Sequence, residues 1–351
     1  MASHFPAARE ILERAIADRA FPAATIEVGT SHQPLWREAF GRLTFDADSA
    51  LARDETIFDL ASLTKVLATT MLVMRQVERG ILSLDDPVAQ HVPGWRDGGP
   101  VIVTLRDLLS HSSGLPAHLP LYRDHQGRAA FETAILQTAR VYEPRTTSVY
   151  SDLGFMLLGF MLESIAPLAT QFDTLRVQMG NVQDLQFSPP AMWKARTAPT
   201  RVDPWRQRLL VGEVDDDNAW ALGGTAGHAG LFGVVASVGE CARHLMQVLE
   251  GRTGAFTQET AKTFVARRTD IPGSSRALGW DTMLPTSSCG TRMSPRAFGH
   301  VGFTGTSLWI DPERSVYVVL LTNRVHPSPD NTKITAIRPV LHDAIIEQLS
   351  Q

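Results

Sequence analysis

The sequence predicts an α+β fold in which an antiparallel sheet, built from both ends of the chain and flanked by helices, carries an inserted region that is all-helical or nearly so. Three observations predict it. Strand-like runs occur at residues 22–44 and again at 297–323. Between them the long periodic segments are helical, and two of these, beginning near Ser62 and Asp152, are apolar on nearly every side. A helix of that kind belongs inside a domain. The terminal strands follow one another through short turns, which implies antiparallel pairing. The boundaries drawn from this pattern are 1–58 with 219–351 for the sheet domain, and 59–218 for the mostly helical insertion.

Each element has its own warrant. Residues 6–18 alternate at helical spacing and form a first helix. Residues 22–44 have strand character, with a turn at 29–34 that makes a hairpin. Residues 54–61 lead into the stretch 58–80, which reads as a buried helix with reactive groups at its beginning and Gly80 as its stop. A loop with a short helix follows at 82–93, then 103–109 running into the turn-rich loop 111–116. Residues 129–142 are helical in pattern, 145–151 extended, and 152–166 a second apolar helix capped by Ser151 or Asp152. The stretch 167–218 is rich in Pro, Asp and Arg and gives weak signals, and the glycines of 219–232 indicate a tightly packed turn. Helices at 235–249 and 258–268, strands at 297–303, 305–311 and 316–323, and a helix at 334–349 complete the chain.

Composition removes several function classes. The 351 residues suffice for one large domain or two intimate ones, with 44% hydrophobic and 20% charged content typical of a globular protein. A net charge of −4 gives no footing for nucleic acid or an anionic membrane as partner. Cys241 and Cys289 could form one disulfide, but there is no disulfide framework or zinc motif. His111, His118 and His125 have no helical i,i+4 partner, so no metal is expected. The first residues mix acidic and basic groups without the apolar core of a secretory signal, and no uncharged run has membrane-spanning length. The expected location is the cytoplasm.

Chemistry enters at three places. Ser62 and Lys65 lie one helical turn apart, so their side chains share a face. A serine near a helix start sees unpaired N–H groups and a positive dipole end, and a lysine one turn on can share or take its proton. Tyr150-Ser151-Asp152 opens the second apolar helix; its rival Tyr122-Arg123-Asp124 has no apolar helix behind it. His300-Val301-Gly302 runs into a strand pair, unlike His125-Gln126-Gly127 and His228-Ala229-Gly230, and the surroundings of His228 read as backbone packing. A strand edge beside a serine can supply a second oxyanion N–H and hold an extended substrate.

In order and rough spacing these three motifs resemble the serine β-lactamase-like superfamily, most nearly the branch of class C β-lactamases, D,D-peptidases and family VIII esterases. Residues 108–116, 221–232 and 302–312 resemble the same family, which extends the likeness over about residues 55–326. The resemblance implies a β-lactamase/penicillin-binding-protein-like fold with the site where sheet and helical regions meet. It implies Ser62 as nucleophile, Lys65 and Tyr150 as its activating pair, and the N–H groups of Ser62 and Phe303 as oxyanion hole. No metal or organic cofactor is implied, and the implied partner is a small ester, amide or β-lactam.

Two departures refine the expectation. Asp152 stands where the family carries an amide, so it caps the helix or anchors Lys65. His300 stands where relatives carry a lysine that holds a substrate carboxylate, and an imidazole is only partly charged near neutrality. The expected function is therefore an acyl-enzyme esterase or amidase on less anionic substrates. The alternatives are a β-lactamase or D-amino-acid peptidase on cell-wall fragments, and a penicillin-recognising protein that acylates without turnover.

Overall fold

A computed structural model describes residues 5–349. Helix α1 (Pro6–Ala17) has Pro6 in its first turn, where a missing N–H costs nothing, and leads into the hairpin β1 (Ala23–Gly29) and β2 (Pro34–Gly41). Strand β3 (Phe58–Asp59) precedes a turn at Ser62. The helix after it is π-wound over Lys65–Thr70 and becomes regular in α2 (Met71–Glu78). Helices α3 (Val88–His91), α4 (Leu105–Leu109), α5 (Gly127–Leu136), α6 (Asp152–Glu163) and α7 (Leu168–Gln178) follow. Short pieces come next: β4 (Leu185–Phe187), β5 (Val202–Asp203), β6 (Arg208–Leu209), α8 (Asp217–Ala221) and β7 (Leu231–Gly233). The chain ends with α9 (Val235–Leu249), α10 (Gln258–Val265), β8 (Asp281–Thr282), β9 (Phe298–Val301), β10 (Ser307–Asp311), β11 (Val316–Thr322) and α11 (Ile334–Leu349).

The main sheet has the order β2-β1-β11-β10-β9-β8 and every pairing is antiparallel. All seven residues of β1 and all seven of β11 are buried, so both faces of the sheet are covered. The strand period of two sorts the side chains. Val318 and Leu320 join Leu12, Ile26 and Leu341 in the core under α1 and α11. Tyr317, Val319 and Leu321 face the other way, with Val238, Leu245 and the helical region. Each fully buried aliphatic side chain contributes about 2 kcal/mol.

Helix α6 is the axis of the helical region, buried from Leu153 through Leu162. Gly159 lets another backbone approach it, since a Cβ there would lie 2.9 Å from the nitrogen of Gly227. A Cβ on Gly227 would lie 2.1 Å from the carbonyl oxygen of Phe155. This contact seats the glycine turn around His228 against α6, as the density of glycine suggested.

Several elements differ from expectation. Residues 58–80 are not one helix: Phe58 and Asp59 pair with β7, and Ser62 sits in the turn before the helix. The second apolar helix stops at Glu163, and α7 begins directly after Pro167. Helix α7 lies in the stretch that gave weak signals, although Leu168, Phe172 and Leu175 mark a buried helical stripe. Helix α5 ends at Leu136, short of residue 142, and β8 adds an unforeseen strand. Consequently β9 is not a plain edge strand. Strand β8 covers only Phe298 and Gly299, which leaves the edge beyond them unpaired at His300 and Val301.

Candidate active site

The turn before Ser62 is held from several sides. Asp59 is buried; one of its carboxylate oxygens accepts the Ala61 N–H at 2.8 Å and the other the Asp215 N–H at 2.6 Å. Burial, then the neighbouring Asp215 carboxyl, pushes the Asp59 pKa up to about 7. Ala61 is in the left-handed region, with φ 46°, a conformation a non-glycine residue keeps only when its surroundings enforce it. Thr304 and Thr306 donate to the carbonyls of Asp59 and Leu60 at 2.7 and 3.0 Å, which ties the β9–β10 connection to this turn. Gly302 is required there, since a Cβ would lie 2.6 Å from the Leu60 oxygen.

Lys65 is fully buried and every N–H of its ammonium has a partner. It donates to Ser62 Oγ at 2.9 Å and to the His228 carbonyl at 3.1 Å, and pairs with Asp152 Oδ1 at 2.8 Å. Burial alone would lower its pKa. The Asp152 carboxylate and the Tyr150 phenol outweigh that and push it up to about 12. Burial acts upward on Asp152, but the Lys65 charge and a bond to His118 win, and the carboxyl is held far below the usual range. His118 Nδ1 stands 3.5 Å from Asp152 Oδ2. The imidazole of His228 bonds Asp216, the cap of α8, at 2.9 Å.

Tyr150 precedes the cap residue of α6, Ser151, whose hydroxyl accepts the Gly154 N–H. The Tyr150 ring lies 4.9 Å from Lys65 Nζ, 4.6 Å from the His111 ring and 5.6 Å from the His300 ring. His111 Nδ1 accepts the Ser151 N–H at 3.0 Å, so the same imidazole fixes the ring and the backbone after it. The Arg276 guanidinium carbon lies 5.2 Å over the Tyr150 ring. Burial first, then Arg276 and Lys65, hold the His300 pKa well below the ordinary value. His300 is therefore a neutral imidazole, not the partly charged group expected.

Ser62, Tyr150, His300, Gly302 and Phe303 line one cavity of about 480 Å³ together with Arg276, Asp281, Arg324 and Arg338. Among the described residues, no protein acceptor takes the N–H of Ser62 or of Phe303. Phe303 is half exposed, with the Arg324 guanidinium 4.5 Å above its ring.

The structure thus brings Ser62, Lys65, Tyr150, Asp152, His300, Gly302 and Phe303 together. The rivals fall elsewhere: Tyr122 packs on Trp205, and His125 bonds the Leu121 carbonyl. Sequence reasoning missed Arg276, the Asp152–His118 contact and the bracing by His111. A lone arginine or histidine in a loop carries no spacing signal that could have found them. Among the described residues, no group of three or more His, Cys, Asp or Glu could hold a metal ion.

Comparison with known proteins gives the family and the fold. The sequence profile of the Beta-lactamase family matches residues 8–342. A Salmonella gallinarum protein provisionally named a D-alanyl-D-alanine carboxypeptidase is 30% identical, over 90% of this chain and 82% of its own length. Among the solved structures that share the fold are two enzymes. EstCE1, a hydrolase with promiscuous acyltransferase activity, has a TM-score of 0.73 at 20% identity, over 95% of this chain and 97% of its own. Unliganded simvastatin synthase from Aspergillus terreus has a TM-score of 0.76 at 20% identity, over the whole of both chains. At such identity the structural likeness speaks for the fold alone.

Proposed function

We propose a substrate class for this chain, which belongs to the Beta-lactamase family and is a serine hydrolase working through an acyl-enzyme: peptides that end in a D-amino acid with a free carboxylate. The observation that carries the reading is Arg276. Its guanidinium lies over Tyr150 on the cavity that holds Ser62, and the nearest acid is Asp281 at 4.0 Å. A fixed cation beside the nucleophile suits a leaving group that bears a carboxylate. Arg276 lines the same cavity as the neutral His300 and supplies a charge that the imidazole does not, which favours the peptidase alternative over the neutral-ester one. The relative named for D-alanyl-D-alanine cleavage points the same way.

In the proposed reaction Ser62 Oγ attacks the scissile carbonyl, and the N–H groups of Ser62 and Phe303 receive the oxyanion. Lys65 begins as an ammonium with all three N–H groups engaged, so it anchors Oγ and does not take its proton. Tyr150, whose ring lies 4.9 Å from Lys65 Nζ, is the general base that takes the Ser62 proton. Tyr150 then protonates the departing amine as the C–N bond breaks. Water attacks the acyl-enzyme and gives a proton to Tyr150, which returns it to Ser62 Oγ as the C–O bond breaks and the acid leaves.

The test compares release of D-alanine from diacetyl-L-Lys-D-Ala-D-Ala with release of D-alaninamide from the terminal amide. The free acid should be the better substrate by about 10-fold in kcat/KM, the size of one partly exposed charge-assisted hydrogen bond. Equal rates, or faster cleavage of p-nitrophenyl butyrate than of either peptide, would return the neutral-ester reading to the front.

A further inference from the structure

The same cavity holds two more arginines, and both are short of counter-ions. Arg324 and Arg338 are only 8% and 6% exposed. Neither forms an ion pair with a carboxylate among the described residues; their partners are backbone carbonyls. Arg324 donates through Nε to Phe303 at 2.8 Å and through Nη1 to Pro329 and Asn331 at 2.7 and 3.0 Å. Arg338 donates through Nη2 to Thr306 at 2.8 Å and to Gly302 at 3.4 Å. The Nε of Arg338 is buried without a partner. Arg324 and Arg338 both line the cavity, and neither Arg324 Nη2 nor Arg338 Nη1 has a hydrogen-bond partner among the described residues.

Two guanidiniums buried near one another repel; the Asp215 carboxylate offsets part of the charge on Arg324, while no acid acts on Arg338, whose burial is uncompensated. Burial, then Arg324, lowers the Arg338 pKa to about 9, so the side chain is still charged at neutral pH. Bracing the loop 302–306 needs donors but not two net charges. The cavity wall also carries Thr332 and Thr335, and its single acid, Asp281, faces Arg276. The charge here is complete only with a ligand anion in addition to the carboxylate assigned to Arg276.

We propose that Arg324 and Arg338 form a second anion subsite, which receives a carboxylate on the side chain of the leaving group, so that the preferred leaving group is a dicarboxylic D-amino acid. This rests on the reading of Arg276 and deepens it. Guanidinium donors from two arginines of one cavity can each take one oxygen of a carboxylate.

The test is calorimetric binding to the Ser62→Ala protein, which cannot turn over, with glutarate and butyrate as probes. Glutarate should bind at least ~10-fold more tightly than butyrate. Arg338→Leu should remove that difference. Thr335→Glu should remove it as well, because it places an acid on the exposed rim beside the two arginines and leaves their bonds to the loop intact. Thermal melting reports whether each variant folds, and Thr335→Glu decides if Arg338→Leu does not. Equal affinity of the unsubstituted arginine pair for the two acids overturns the proposal. So does a preference that survives Thr335→Glu, or an Arg338→Leu variant in which butyrate affinity falls as much as glutarate affinity, since Arg338 would then serve a single carboxylate. Fluorophosphonate labelling of Ser62 in the unsubstituted protein reports on the nucleophile separately, so failure of the acyl-enzyme reading leaves the binding result standing.

Discussion

Lys65 and Arg338 are buried cations on the two sides of one active-site cavity, and they are compensated in opposite ways. Lys65 has a carboxylate at 2.8 Å and an acceptor for each of its protons. Arg338 has two carbonyls, no carboxylate, and an orphaned Nε. The lysine side is complete before any ligand arrives, so its proton chemistry is preorganised and should be indifferent to substrate charge. The arginine side is left incomplete, so discrimination among substrates should reside there. Substitutions on the two sides should accordingly change different quantities.

The largest effects belong to the lysine side. Ser62→Ala should abolish both fluorophosphonate labelling and hydrolysis of every substrate, whatever its charge. Labelling that persists would place the nucleophile at another serine. Tyr150→Phe should lower kcat by about 10²-fold, the usual size for loss of a general acid–base group, with little effect on the preference between free-acid and amide peptides. Tyr122→Phe, whose ring packs on Trp205 away from the cavity, should stay within about twofold. A reversed ranking of the two tyrosines would break the site as drawn.

Asp152→Asn probes how the lysine side is balanced. The substitution keeps an oxygen near Lys65 but removes the charge, and breaking a buried pair costs up to 3–5 kcal/mol. With the amide retained as acceptor, about 2 kcal/mol is expected, read as a lower Tm at pH 7. The sign follows from linkage. A carboxyl whose folded pKa is depressed contributes stability above its unfolded pKa of about 4 and loses it as pH falls further. The gap between wild type and Asp152→Asn should therefore close below about pH 4. Lys65, raised to about 12, contributes its share at all pH below about 10.5 and loses it only above that. A gap that stays constant down to pH 3 would show that Asp152 acts through shape and not through charge.

The two sides also differ in how far they were legible in the sequence. Ser62 and Lys65 share a helical turn, and Tyr150 and Asp152 flank the cap of an apolar helix, so local spacing places them. Local spacing also suggested that His300 sits on a strand. It could not say that burial and Arg276 keep that imidazole neutral, because Arg276 arrives from the connection between α10 and β8. Arg324 and Arg338 likewise come from the end of the sheet and from α11, and only the closed fold sets them on the same cavity as Ser62. The terminal strands and long helices were legible because their apolar periods are regular. Helix α7 was missed because charged residues and prolines nearby masked a short stripe, and β8 because two residues carry no period.

On the arginine side the expected effects are smaller and selective. Arg276→Ala should reduce kcat/KM by about 10-fold for a peptide with a free terminal carboxylate and by less than about twofold for its amide. Equal losses for both would make Arg276 a packing partner of Tyr150 and not a substrate ligand. The smallest expected change concerns pH. His300 is held neutral by burial and by two nearby cations, so it gains no charge between pH 8 and pH 6. Arg276 keeps its charge throughout that range. The free-acid to amide ratio of kcat/KM should therefore stay flat, within about a factor of two, across those two units. His118 does titrate nearby: its bond to Asp152 raises its pKa above the ordinary histidine value, so it gains a proton as pH falls through that raised value. Any effect of that proton on the Lys65–Asp152 pair acts on both substrates and cancels in the ratio, while remaining visible in the two rates taken singly. A ratio that rises several-fold toward pH 6 in the wild type, and is flat in His300→Gln, would show that the strand histidine is the titrating cation and that the division between the two sides has been drawn in the wrong place.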